Sequence, residues 1–275
     1  MTAGPALPYE SIYDDPQADA LYQAVWGDSL HFGLYLSAAD SMAEAMLRTK
    51  QRMATPLGLT PQTVVLEVGC GFGTMARYLA QEYGCTVVAT NSSRQQLARA
   101  HALLAPTGLA PLVSFAWADY HRLPYEDATF DVWWCQEAIT HSPDKRRVFQ
   151  EAYRVLKPGG RAVLSDQLVH QALLTPEERV RVATRHGSDD LWHAEAYQRA
   201  LEACGLRLER FEDWSAHIAP HFTAVTRRVE EQRVALARQI DARTLAHNES
   251  IWRAWAAAGQ AGTIGWGYFV AVKDR

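Results

Sequence analysis

Residues 64–73 read Val64-Val65-Leu66-Glu67-Val68-Gly69-Cys70-Gly71-Phe72-Gly73, an apolar run that ends in three glycines at alternate positions. No other feature of the 275-residue chain restricts its fold as strongly. A short apolar run bounded by glycines is what a strand buried on both faces of a parallel sheet looks like. Glycines there let a ligand approach the backbone closely. Thr74 to Tyr83 then shows helical spacing in Met75, Leu79 and Tyr83, and Gly84 closes it. The helix that starts after the loop offers free N–H groups and partial positive charge to a ligand. The spacing is not that of a dinucleotide fingerprint, G-x-G-x-x-G, because the third glycine comes one residue early. No Gly-Lys-Ser/Thr follows, so a triphosphate loop is excluded. An acid, Glu67, precedes the first glycine and suits a ligand that carries a cation. S-adenosylmethionine (SAM) carries two, an ammonium and a sulfonium.

The pattern continues as alternating strands and helices. Strands are expected at Thr86 to Thr90, Val113 to Trp117, Phe130 to Cys135 and Arg161 to Leu164, with helices at Arg94 to Leu104 and Lys145 to Leu156. Lys157-Pro158-Gly159-Gly160 reads as a turn. Residues 168–192 and 221–257 read as helical, as does Ala194 to Ala203. Further strands are expected at Leu206 to Phe211 and Thr263 to Lys273. Alternation of this kind predicts an α/β fold: a Rossmann-like sheet of seven mostly parallel strands, helices on both faces and a helical cap. We expect a single domain over 1–275, with an N-terminal arm and helices over 1–60 and cap insertions at 168–196 and 214–262.

Ligands bind outside the carboxyl ends of such strands. Asn91 ends the second strand, where a side chain reaches ribose hydroxyls, and Ser92 and Gln96 follow it. Asp119 follows the third strand, where a carboxylate accepts from an adenine amino group, and Gln136 follows the fourth. With Glu67, Gly69, Gly71 and Gly73 these are the candidate cofactor-binding residues. Each also has an ordinary structural reading, as a strand-closing amide, a turn acid or a loop amide.

Composition narrows the partners. A formal net charge of −4 argues against a nucleic-acid binder and for a small molecule. No apolar run is long enough for a transmembrane helix, and Met1 to Asp15 lacks the basic and apolar regions of a signal peptide. Four cysteines lie far apart without a C-x-x-C pair, which fits a reducing cytoplasm. His217 and His221 stand at helical spacing, but Pro220 intervenes, and no metal site is expected.

Taken together, residues 65–73, Phe130-Asp131-Val132-Trp133-Trp134 and Val155-Leu156-Lys157-Pro158-Gly159-Gly160 resemble the class I SAM-dependent methyltransferases. Tyr13-Asp14-Asp15, Trp26-Gly27, residues 31–35, residues 136–145 and Trp266-Gly267 narrow the resemblance to the sarcosine/dimethylglycine N-methyltransferase group. Tocopherol and indole-alkaloid methyltransferases are relatives of that group. The resemblance implies SAM as methyl donor and an amine nitrogen as acceptor. It also places His141 in the active site; Glu137 lies with it just after the fourth strand, and Tyr13 and Tyr35 are candidates to close over the donor or the acceptor. One departure bears on the acceptor: the betaine-forming enzymes read W-G-G-E-D-I-H where residues 26–31 are one residue shorter.

Two acceptors therefore stay open. An amino acid needs a carboxylate clamp, for which Arg227, Arg228 and Arg233 are the candidates. An aromatic natural product, methylated on carbon or nitrogen, needs ring walls, for which Trp192, Trp214 and Trp266 are the candidates among nine tryptophans. A non-catalytic SAM-binding module and a nicotinamide oxidoreductase are the remoter alternatives.

Overall fold

The structure is a computed structural model and describes residues 16–170, 173–186, 190 and 192–274. Tyr13, Asp14 and Asp15 lie outside these residues. One sheet of seven strands organises the chain. It contains β1 (Val64–Val68), β2 (Thr86–Asn91), β3 (Val113–Trp117), β4 (Phe130–Gln136), β5 (Leu156–Val169), β6 (Leu206–Asp213) and β7 (Ile264–Lys273). Their order is β3-β2-β1-β4-β5-β7-β6, with β7 antiparallel to both its neighbours and the pairs from β3 to β5 parallel.

Alternation along buried strands explains the adjacent Trp133 and Trp134. Successive side chains point to opposite faces, so Trp133 joins one core layer with Leu66 and Val68, and Trp134 joins the other with Val65. Both indoles are fully buried. The Trp133 layer is covered by α5 (Lys145–Val155) and α7 (Ala194–Ala203), through Val148, Phe149, Tyr197 and Leu201. The other layer takes α1 (Pro16–Trp26), α2 (Met42–Ala54), α3 (Thr74–Tyr83), α4 (Arg94–Leu104), α8 (Ile218–Leu236) and α9 (Ala242–Ala261). A further helix, α6 (Pro176–His186), follows β5.

Two expectations change. Lys157 to Gly160 is no free turn between helix and strand but a bulge inside β5, where pairing jumps from Phe130–Leu156 to Val132–Arg161. Gly159 there adopts φ +80°. Residues 221–257 are two helices, divided where Asp241 caps α9 by accepting from the Thr244 N–H. No helix among the described residues is long and apolar enough to cross a membrane.

The parallel core sends three loops to one edge: residues 69–73 after β1, residues 91–93 after β2 and residues 136–141 after β4. Strand order reverses between β1 and β4, which is where such sheets open a crevice. Gly73 caps α3 at φ +67°, and a Cβ added there would sit 2.3 Å from the Phe115 ring. Gly73→Ala is therefore expected to destabilise the protein by roughly 2–4 kcal/mol, from left-handed strain plus overpacking. Urea denaturation checks this; an unchanged midpoint would refute the packing argument.

Glu67 is buried beneath the loop, and its Oε2 has no hydrogen-bond partner. Burial pushes its carboxyl up to about 8, opposed by the Ala76 N–H and more weakly by Arg77 and Lys50. Between the ordinary value of 4.5 and about 8 the folded chain thus holds a proton that the unfolded chain has released. Stability from this source falls as pH rises through that window and is level above it. Relative to wild type, Glu67→Gln should gain thermal stability as pH rises from 5 to 8, in a pH series of melting temperatures. A constant difference across the series would contradict the burial argument.

Candidate active site

A cleft of about 720 Å³, open to solvent, lies over the three loops. Its wall includes Gly69, Gly71, Asn91, Ser92, Gln96, Gln136, Glu137 and His141. Three other candidates stay off that wall. Glu67 is beneath the loop, and Gly73 is occupied with α3 and Phe115. Asp119 turns to His121, accepting from its N–H at 2.9 Å and meeting its Nδ1 at 2.7 Å, which holds its carboxyl below the usual range. Its neighbours Ala118 and Tyr120 face the cleft instead.

The residues at the end of β2 brace one another. Asn91 Nδ2 donates to Gln96 Oε1 at 2.7 Å, and Ser93 caps α4 by accepting from the Gln96 N–H. The Ser92 carbonyl accepts from Trp117 Nε1 at 2.7 Å. This amide pair commits the Asn91 donor within the protein.

Gln136 ends β4 fully embedded. Its Oε1 accepts from Trp134 Nε1 at 3.1 Å, and its Nε2 is buried without a partner. The next residue, Glu137, adopts φ +47°, a left-handed conformation that costs a residue with a side chain about 1–3 kcal/mol. Three donors from separate segments hold its carboxylate: His31 Nδ1 at 2.8 Å, Trp266 Nε1 at 3.0 Å and the Ser165 hydroxyl. His141 follows in the 3-10 turn Ile139–His141 and is almost wholly buried.

A second cavity, partly open to solvent, shares Leu30, Glu137 and His141 with the first. Its rings come from Tyr22, Trp26, Phe32, Phe222, Trp252 and Trp255. The tryptophans singled out from sequence are elsewhere: Trp192 packs on Phe149 and Tyr197, and Trp214 stacks on Tyr268 at 4.7 Å. Trp266 is fully buried behind Glu137. Arg233 is paired with Glu249 at 2.8 Å, and Arg227 lies 3.7 Å from Glu231, so these two follow the solvated-face reading. His217 and His221 serve Tyr35: His217 Nδ1 accepts from its N–H at 3.1 Å, and His221 Nδ1 meets its hydroxyl at 3.2 Å. Sequence reasoning named His31 only within a motif and missed Leu30, Trp26, Trp252 and Trp255 as wall residues. The available signal was the i, i+3 spacing of Trp252 and Trp255, which puts both rings on one helix face.

The cleft fits SAM by its own features. At Gly71 an added Cβ would meet nothing nearer than Leu30 Cδ1 at 3.7 Å, so the backbone there is bare to the cleft. Gln136 Nε2 is a buried donor that lacks an oxygen.

Comparison with known proteins agrees. The methyltransferase-domain family matches residues 66–164. The glycine/sarcosine/dimethylglycine N-methyltransferase of Actinopolyspora halophila is 35% identical over 93% of this chain, which spans 45% of that protein. The sarcosine/dimethylglycine N-methyltransferase of Halorhodospira halochloris is 32% identical over 95% of this chain and 94% of its own length. Among solved structures, a Galdieria sulphuraria protein provisionally assigned as a sarcosine dimethylglycine methyltransferase superposes with a TM-score of 0.88 at 29% identity, covering 95% of this chain and 98% of that one. The chain is thus an enzyme of the class I SAM-dependent methyltransferase family, in the group that includes the sarcosine/dimethylglycine N-methyltransferases.

Proposed function

We propose that the protein transfers a methyl group from SAM to the amine nitrogen of a small molecule. The observation that carries this reading is the pair of cavities that meet at one wall, Leu30, Glu137 and His141. One compartment is suited to the donor and the other to the acceptor. When bound, SAM supplies an electrophilic methyl: the amine lone pair forms the N–C bond while the C–S electrons return to sulfur.

The chain's own part is positioning and exclusion of water. Gly69, Gly71, Asn91, Ser92, Gln96 and Gln136 hold the donor. Glu137, fixed by three donors, presents its carboxylate where it can accept a hydrogen bond from the acceptor's N–H. An amine reaches the site largely as its ammonium and must lose a proton before it can attack. His141 is suited to accept that proton. Tyr13 would close over the bound donor or acceptor.

Isothermal titration should show S-adenosylhomocysteine binding, and Gly71→Arg should abolish it by filling the bare stretch of cleft. Retained affinity in that variant would mean the donor sits elsewhere. With labelled SAM, methyl transfer to an amine is expected. His141→Gln should lower kcat by about 100-fold, and raising the pH should recover part of the loss by deprotonating the amine in solution. A variant as active as wild type would remove His141 from the proton step.

A further inference from the structure

The second cavity has a chemical character of its own. Its six rings form a nearly continuous wall. Trp26 and Trp252 meet edge to face at 4.9 Å, Phe32 and Phe222 at 5.4 Å, and Phe222 and Trp255 lie tilted at 5.4 Å. Tyr22 closes on Trp252 at 6.0 Å. Of the polar members of the lining, Glu137 and His141 are shared with the donor cleft, while Gln167 lines this cavity alone. The cavity therefore has one reactive, polar end and an apolar body.

Two buried polar atoms lack partners here, one on the wall itself and one packed behind its rings. Trp26 Nε1 is buried without an acceptor, and so is His221 Nε2, whose ring lies 6.1 Å from Trp26 and 5.2 Å from Phe32. An unmet buried donor costs about 1–3 kcal/mol. Of the two, Trp26 is on the cavity wall, and its N–H is left to be met by what enters. Packing alone does not require an indole N–H at that position.

The geometry points to an amine acceptor with an apolar, ring-bearing body, seated against Trp26, Phe222, Trp252 and Trp255 with its nitrogen at Glu137. This rests on the proposed function and narrows it. A ring of benzene size gains several kcal/mol by leaving water for such a wall, and an ammonium at its end gains from the Glu137 carboxylate and the ring faces. A compact amino acid brings a carboxylate that the aromatic wall does nothing to hold.

The test uses the protein loaded with S-adenosylhomocysteine, titrated with phenethylamine and with dimethylglycine. Phenethylamine should bind more tightly by about tenfold or more. Ile251, partly exposed on the cavity wall, allows a charge to be introduced there. Ile251→Arg should weaken phenethylamine by about tenfold or more, improve dimethylglycine relative to it, and leave S-adenosylhomocysteine affinity unchanged. Tighter binding of dimethylglycine by the wild type, no binding of phenethylamine, or indifference of phenethylamine to Ile251→Arg would each overturn the inference. Preferred binding and methylation of dimethylglycine would do so while leaving amine methylation intact, whereas failure to bind S-adenosylhomocysteine would defeat the broader reading itself.

Discussion

The Glu137 carboxylate is the point on which the site depends. It is buried at the end of β4 and takes hydrogen bonds from His31 in the N-terminal segment, Ser165 on β5 and Trp266 on β7. A buried carboxylate needs such partners, because an unpaired one costs several kcal/mol. Its bonds therefore tie parts of the chain remote in sequence to one position. The left-handed backbone at Glu137 is held in place by the same arrangement, since its N–H donates to the Ser165 carbonyl at 2.8 Å. Strain and fixation together aim one side chain at the wall between two cavities.

Most of the sheet was legible because parallel strands buried on both faces leave an unambiguous apolar signature. Val64–Val68 and Phe130–Gln136 are of this kind, and their carboxyl ends marked Gly69, Gly71 and Gln136 as cleft residues in advance, as the end of β2 marked Asn91. The bulge at Lys157 to Gly160 was hidden because Pro and Gly signal a turn equally well when the chain continues in the sheet. That Asp119 and Glu67 turn away from the cleft wall was hidden for a related reason. Position along the chain identifies the loop, but the partner that a carboxylate finds, His121 or the Ala76 N–H, is a matter of tertiary geometry.

The aromatic cavity was not legible at all as a unit. The surplus of tryptophan was visible, but rings in a core and rings on a cavity wall have the same composition. Trp192, Trp214 and Trp266 pack within the body of the protein, while Trp26 joins Trp252 and Trp255 only because α1 lies against α8 and α9. The arginines that an amino-acid clamp would use illustrate the same limit. Their spacing in α8 is compatible with a clamp, yet Arg233 is committed to Glu249 across to α9.

The two cavities also differ in where the chain supplies them. The donor cleft takes most of its wall from residues 69–141, a continuous stretch of the sheet and its loops. The rings of the acceptor cavity come from residues 22–32 and 222–255, at the two ends of the chain. Such a division separates the constant part of the reaction from the variable part. On the proposed assignment, substitutions at residues 22–32 and 222–255 would alter what is methylated while leaving the residues that would hold the methyl donor in place.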